Sequence, residues 1–204
     1  IKMSLTSSEF EINYKNKIFK IKTHLSGNFN IYNILASIVC CNILGIDMHS
    51  IIEAINQLDL IPGRFESYID YAHSPDAFEK IFSLVKSIQP NHHIITLFGC
   101  GGDRDKDKRS IMGSISEKFS DKIIITDDNP RYEDPNLIIK QIISGFKNDN
   151  YVVCNDREKA IKKAFLELNK NQILLILGKG VEQYQITQDQ KTKHSDTEII
   201  KELL

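Results

Sequence analysis

Apolar and polar positions change rhythm twice along the chain. Over residues 9–23 they alternate about Lys15-Asn16-Lys17, the period of a β-hairpin. Gly27-Asn28-Phe29-Asn30 then opens a helical pattern that closes near Gly45, a suitable residue just past a helix end. A second short helix is expected over residues 50–58, and Pro62-Gly63 breaks the pattern. From Glu66 onward short apolar runs and helical patterns take turns. The runs are 67–72, 93–98, 122–126, 151–154 and 173–177; the helices between them are 75–88, 106–119, 135–146 and 156–168. Pro75 behind Ser74 and Pro135 behind Asp134 are first-turn prolines behind good caps. Strands alternating with helices of this length predict a parallel sheet with right-handed crossovers. Residues 184–193 then read as a terminal hairpin or loop, and Ser195-Asp196-Thr197-Glu198 as the capping box of a last helix.

This pattern places a domain boundary at Pro62-Gly63, with residues 1–62 before it and 63–204 after it. One hairpin and two helices leave much of residues 31–55 without a partner surface, so the first part reads as an incomplete domain. The chain opens on a strand-like segment with no initiator methionine and no signal peptide, as expected of a piece from within a larger protein. The longest apolar stretch, residues 31–44, is interrupted by Asn33, Ser37 and Asn42 and falls short of the roughly 20 residues of a membrane span.

Composition narrows the chemistry. The net charge of −1 argues against nucleic-acid or membrane-surface binding driven by bulk charge. Sign-alternating runs such as Asp156-Arg157-Glu158-Lys159 read as solvated helix faces. The cysteines Cys40, Cys41, Cys100 and Cys154 form no C-x-x-C pair and read as reduced thiols, with no metal site among them. Cys100 lies in a glycine loop, yet no base can be assigned to it as a nucleophile's partner.

Behind the apolar runs stand four polar clusters: residues 70–76, 99–105, 126–131 and 178–180. If the runs are parallel strands, all four emerge along the carboxyl edge, where open α/β sheets bind ligands. The glycine loop from Gly99 can bring backbone close to a ligand, and Arg104 offers a planar fork to a carboxylate or phosphate. No Walker loop, G-x-x-x-x-G-K-[ST], is present. Asp127-Asp128-Asn129-Pro130-Arg131 combines acceptors for an ammonium with a fork for a carboxylate, which suits an amino acid. Glu182 can add a second anionic contact, and Lys179 can steer an anion. Arg64 can pair with a phosphate, while Asp70 can hold a ribose hydroxyl or orient a partner. His73 stands at the end of the same run. Each cluster also has a plain reading as a turn, an ion pair or a surface charge.

Six strings together resemble the Mur ligases, the ATP-dependent amide-bond formers of bacterial peptidoglycan synthesis, and within them the branch that adds the third peptide residue. They are Gly27-Asn28-Phe29-Asn30-Ile31-Tyr32-Asn33, Pro62-Gly63-Arg64-Phe65-Glu66, residues 70–76, residues 99–109, Asp128-Asn129-Pro130-Arg131, and Gly178-Lys179-Gly180-Val181-Glu182-Gln183-Tyr184-Gln185. The resemblance implies an α/β chain whose residues 1–62 end a central ATPase domain and whose residues 63–204 form a Rossmann-like C-terminal domain with a mostly parallel sheet. It implies ATP and Mg²⁺ as cofactors, and UDP-N-acetylmuramoyl dipeptide and meso-diaminopimelate as substrates joined through an acyl phosphate, in the cytoplasm. By the same resemblance Arg104, Asp128, Asn129, Pro130, Arg131, Gly178 and Glu182 contact the amino acid. Asn30, Asn33, Arg64, Asp70 and His73 would lie about ATP. No catalytic or metal-binding residue is expected here, because the phosphate loop, the Mg²⁺ carboxylate and the modified lysine lie upstream. The chain alone is therefore expected to be inactive without its N-terminal and central domains. Arg131 carries the substrate reading, since diaminopimelate has a second carboxylate where lysine has only hydrogen. Two positions depart from the family pattern: Val181 replaces a histidine and Ser110 a proline. The rival readings are a ligase adding lysine, a folylpolyglutamate-type ligase, and a Rossmann-like binding module without chemistry.

Overall fold

The computed structural model describes residues 1–4, 7–25, 27–58, 69–169 and 171–203. The chain divides into two compact units, Ile1–Ser67 and Tyr68–Leu204. The expected break at Pro62-Gly63, and Arg64 with it, lies outside the described residues.

In the first unit β1 (Lys2–Met3), β2 (Ser8–Tyr14) and β3 (Lys17–Thr23) form an antiparallel sheet in that order. Lys15 and Asn16 both take positive φ, 50° and 61°, as a two-residue hairpin turn requires for its twist to match the strands. Helix α1 (Asn28–Ile43) follows, then α2 (Met48–Asn56), which begins earlier than the periodicity suggests because Asp47 caps it. Ile31, Ile34, Ile38, Ile51 and Ile52 pack with Phe10 and Ile21 in one core. Tyr32, Val39, Ile43 and Leu44 stay exposed, so the apolar content of α1 exceeds what this core takes up.

The second unit is a five-stranded parallel sheet in the order β4 (Ile69–Asp70), β8 (Gln172–Leu177), β5 (His93–Phe98), β6 (Lys122–Ile125), β7 (Tyr151–Val153). Its connecting helices are α3 (Pro75–Ile88), α4 (Asp107–Phe119), α5 (Pro135–Ile143) and α6 (Arg157–Leu166). The hairpin β9 (Tyr184–Thr187) and β10 (Gln190–Lys193) and helix α7 (Asp196–Lys201) complete the chain. Alternation along the strands sorts the core. Ile95, Leu97, Ile124, Leu174 and Ile176 meet Ala160, Ile161 and Ala164 of α6 and Ile199 and Ile200 of α7. On the other face Phe98 meets Phe78 of α3 edge-on at 5.1 Å, and Phe82 stacks on Phe119 of α4 at 5.3 Å.

Register aligns the strand ends. Asp70 pairs with Leu177, Leu177 with Phe98, Phe98 with Ile125 and Ile125 with Val153, a level row across the sheet. The segments after neighbours β5 and β8 lead to helices on opposite faces, the topological switch point of an open α/β sheet.

Two buried arginines pin the loops beyond this row. Arg109 of α4 donates to both oxygens of Glu133, at 2.8 and 3.0 Å, and to the Gly101 carbonyl at 2.9 Å. Arg157 of α6 donates to both oxygens of Asp196, at 2.9 and 2.7 Å, and to the Leu177 carbonyl at 3.1 Å. Both arginine side chains have no exposed surface. Arg157 therefore corrects the reading of its charge run as a solvated face: Asp156, Glu158 and Lys159 are exposed, but Arg157 shares the inward stripe of Ala160, Ile161 and Ala164.

The Arg109 hydrogen bonds hold the Glu133 carboxyl at about 2, below its ordinary 4.5. A carboxyl depressed in the folded state stabilises the fold above its unfolded value and loses that contribution as pH falls toward the folded one. Glu133→Gln is expected to cost about 3–5 kcal/mol at neutral pH, because it leaves a buried guanidinium without its counter-charge. Urea titrations should show a shallower loss of stability between pH 4.5 and 2 in the variant than in the wild type; matching acid limbs would contradict the pairing.

Candidate functional site

The glycine loop after β5 and the acidic loop after β6 are built against each other. Gly102 donates its N–H to the Asn129 carbonyl at 2.8 Å, and a Cβ on Gly102 would run into the Pro130 carbonyl oxygen. Asp103 N–H is held by Glu133, so the Arg109 clamp fastens both loops at once. Arg131 takes φ 50°, and β9 holds its backbone: Arg131 N–H donates to Ile186 and Gln188 N–H to the Arg131 carbonyl. Its Nη1 rests on the Gly102 carbonyl at 2.7 Å. Arg104 is exposed, and both arginine side chains run past Gly101.

The acidic side of the edge is drier. Asp128, Asn129 and Pro130 are buried. The Asn129 Nδ2 donates to Glu182 Oε2 at 2.8 Å, while its Oδ1 accepts from Ile186 N–H and from Lys179 Nζ, each at 2.9 Å. Gly178, buried at the end of β8, lies against the Asp128 carboxylate. Gln185 Nε2 donates to the Asp128 carbonyl at 2.7 Å, adding a further stitch to β9. Burial pushes the Asp128 carboxyl up, opposed by the charges of Lys179 and Arg157. Asp127 is pushed up to about 6 by burial, in spite of a 3.3 Å hydrogen bond from Asn155. Tyr71 is raised by burial and then by the charges of Glu182 and Asp128.

Lys179 corrects the expectation of an outward lysine steering anions. Its side chain has no exposed surface, and Nζ lies 2.9 Å from Asn129 Oδ1, 2.9 Å from the Tyr184 carbonyl and 3.3 Å from Glu182 Oε2. Arg109, Arg157 and Lys179 are the residues that reading the clusters one by one misses. The sequence does carry a signal for the two arginines. Arg109 recurs with Met112, Gly113 and Ser116, and Arg157 with Ala160, Ile161 and Ala164, at the spacing of a buried helical stripe. For Lys179 no such periodicity exists.

Of the other candidates, Asp70 is buried in the last position of β4 and His73 is exposed on the loop beyond it, with Nδ1 2.8 Å from the Tyr71 carbonyl. Asn30 and Asn33 belong to the first unit, buried and exposed respectively in α1. Cys100 is buried and its thiol is pushed up to about 12, which suits an inert core sulfur. Of the two departures from the family pattern, Val181 is exposed beside the site and Ser110 lies within α4. Chemically, the edge joins a guanidinium fork to a carboxylate through one residue, Asn129. A zwitterion with a further carboxylate can be gripped there at both signs.

Comparison with known proteins agrees with this fold. The family described as "Mur ligase, glutamate ligase domain" matches residues 47–180. UDP-N-acetylmuramoyl-L-alanyl-D-glutamate--2,6-diaminopimelate ligase 1 of Clostridium acetobutylicum is 40% identical over 215 residues, covering 100% of this chain and 44% of its own length. The ligase of that name from Fusobacterium nucleatum is 43% identical over 199 residues, covering 93% of this chain and 41% of its own length. This chain thus spans less than half the length of these relatives. Among solved structures, a UDP-N-acetylmuramoyl-L-alanyl-D-glutamate--2,6-diaminopimelate ligase superposes with a TM-score of 0.66 at 29% identity, covering 98% of this chain and 43% of that one. Folylpolyglutamate synthase from Thermotoga maritima shares the fold, with a TM-score of 0.66 at 18% identity over 87% of this chain and 42% of its own. With a family match spanning most of the chain and four of the six strings on one sheet edge, this chain belongs to the Mur ligases.

Proposed function

We propose that this chain is the amino-acid-delivering end of an ATP-dependent ligase that joins meso-diaminopimelate to UDP-N-acetylmuramoyl-L-alanyl-D-glutamate in the cytoplasm. The observation that carries the reading is the placement of Arg131 and Glu182 about Asn129. Glu182 lies 2.8 Å from its amide and Arg131 Nη1 3.5 Å from its carbonyl. Arg131 pairs with the distal carboxylate of diaminopimelate, and Glu182 accepts from the distal ammonium. Arg104 meets the other carboxylate, and Gly178 and Asp128 complete the wall. With the far end of the molecule fixed, the near amine is presented to the acceptor carbonyl in one orientation, which replaces an encounter in solution by a positioned attack.

ATP, when bound, supplies the phosphoryl group that activates the acceptor carboxylate. Asp70, buried at the end of β4, and His73, exposed on the loop beyond it, are a donor and acceptor set suited to a nucleoside; Asn30, Asn33 and Arg64 are assigned to the same ligand by the resemblance alone. Among the described residues no group of three or more acidic, histidine or cysteine side chains is arranged to hold a metal ion; Mg²⁺ and the phosphate loop are assigned to the remainder of the enzyme, and residues 1–62 to the end of its central domain. Among the described residues no helix is long and apolar enough to cross a membrane.

In the complete enzyme Arg131→Ala should raise KM for meso-diaminopimelate at least about tenfold, as expected from losing a charge-assisted pair worth roughly 1.5–3 kcal/mol. An unchanged KM would remove the substrate assignment. Phosphate release dependent on the added amino acid should rank diaminopimelate far above lysine and glutamate in the wild type. In Arg131→Ala the margin over lysine should collapse, since only diaminopimelate carries the carboxylate that Arg131 reads. A wild type that prefers lysine or glutamate would contradict the reading.

A further inference from the structure

The Lys179 ammonium has three N–H groups, and three acceptors stand within 3.3 Å of it: Asn129 Oδ1, the Tyr184 carbonyl and Glu182 Oε2. No donor is left over for a ligand. Lys179 therefore does not bind the amino acid. It acts on the groups that do. Glu182 Oε2 receives both Lys179 and Asn129 Nδ2, which leaves Oε1 as the oxygen open to a substrate ammonium. The same ammonium lies 3.8 Å from Asp128 Oδ1, the second carboxylate of the site.

We propose that Lys179 is a positioning residue of the amino-acid pocket: a resident ammonium that holds Asn129 and Glu182 Oε2 in place, so that the pocket takes a substrate ammonium on the remaining Glu182 oxygen. This inference rests on the amino-acid site proposed above and adds to it the residue that holds Glu182 and Asn129 in register. Without Lys179, the fixed positive charge left to Asp128 and Glu182 would be Arg157, which is already paired with Asp196. Glu182 would lose one of the two donors that fix its Oε2 and turn away, and its acceptor for the substrate would be lost.

The test uses the complete ligase, after identifying which amino acid the wild type adds. Should that be lysine or glutamate, the substrate reading fails, and the Lys179 comparison is made with that amino acid instead. Lys179→Met keeps the length of the stem and deletes the charge; its KM for the amino acid is expected to rise at least about twentyfold while KM for ATP stays within about twofold. Lys179→Ala should behave alike, and propylammonium, which restores the missing atoms, should recover a substantial part of the loss. Propanol, of equal volume and no charge, should not. An unchanged amino-acid KM in Lys179→Met would overturn the proposal. So would equal loss for both substrates together with a lowered Tm and no rescue by propylammonium, since that pattern marks a pin of the fold alone.

Discussion

An ammonium removed from water must find acceptors for all its protons, and this requirement organises the carboxyl edge of the sheet. Lys179 meets it with an amide from the loop after β6, a carboxylate from the loop after β8 and a carbonyl of β9. The loop after β6 and the segment that runs from β8 into β9 are thereby fixed about one atom. Asn129 extends the same constraint outward, because its amide is spent on Lys179, Ile186 and Glu182. The loop that bears Arg131 inherits its position from this knot. The left-handed backbone of Arg131 is sustained because Ile186 of β9 takes up its N–H and Gln188, just past that strand, its carbonyl.

The sheet supplies the platform. Strand ends level from Asp70 to Val153 bring residues far apart in sequence out at one height. Arg109 and Arg157 then repeat one device on either side of the switch point. Each leaves a helix, reaches a carbonyl close to a strand end, and closes on a carboxylate from a later segment. A buried pair of this kind stabilises little in net terms, but loss of one partner is severe, so the loops have a single arrangement. That suits the proposed pocket, which grips a flexible diamino acid at both ends.

Much of this was legible in the residues. The first-turn proline behind Ser74 marks α3, and the run 93–98 is β5 as read. Of the run 67–72, Ile69 and Asp70 form edge strand β4, Tyr71 and Ala72 lie beyond its end, and residues 67 and 68 lie outside the described residues. Helix α5 stops at Ile143, short of Phe146, whose ring turns instead to Tyr151 at 5.0 Å. The polar clusters could be placed on one edge from the alternation of strands and helices alone. What hydropathy hides is charge that has been buried: Lys179 between glycines looks like a surface lysine, and its partner Asn129 is 50 residues away. Arg157 in a run of alternating charge misleads in the same way, although the stripe it shares with two alanines and an isoleucine betrays it.

The central claim is that a diamino diacid is held at this edge between Arg131 and Glu182. A crystal structure of the complete ligase with meso-diaminopimelate would test it most directly. The account predicts the distal carboxylate about 3 Å from the Arg131 guanidinium, moved off the Gly102 carbonyl, and the adjoining ammonium on Glu182. It also predicts Lys179 still seated on Asn129 and Tyr184. An amino acid bound away from the ends of β5, β6 and β8, or Arg131 left on Gly102 with the distal carboxylate in solvent, would contradict it.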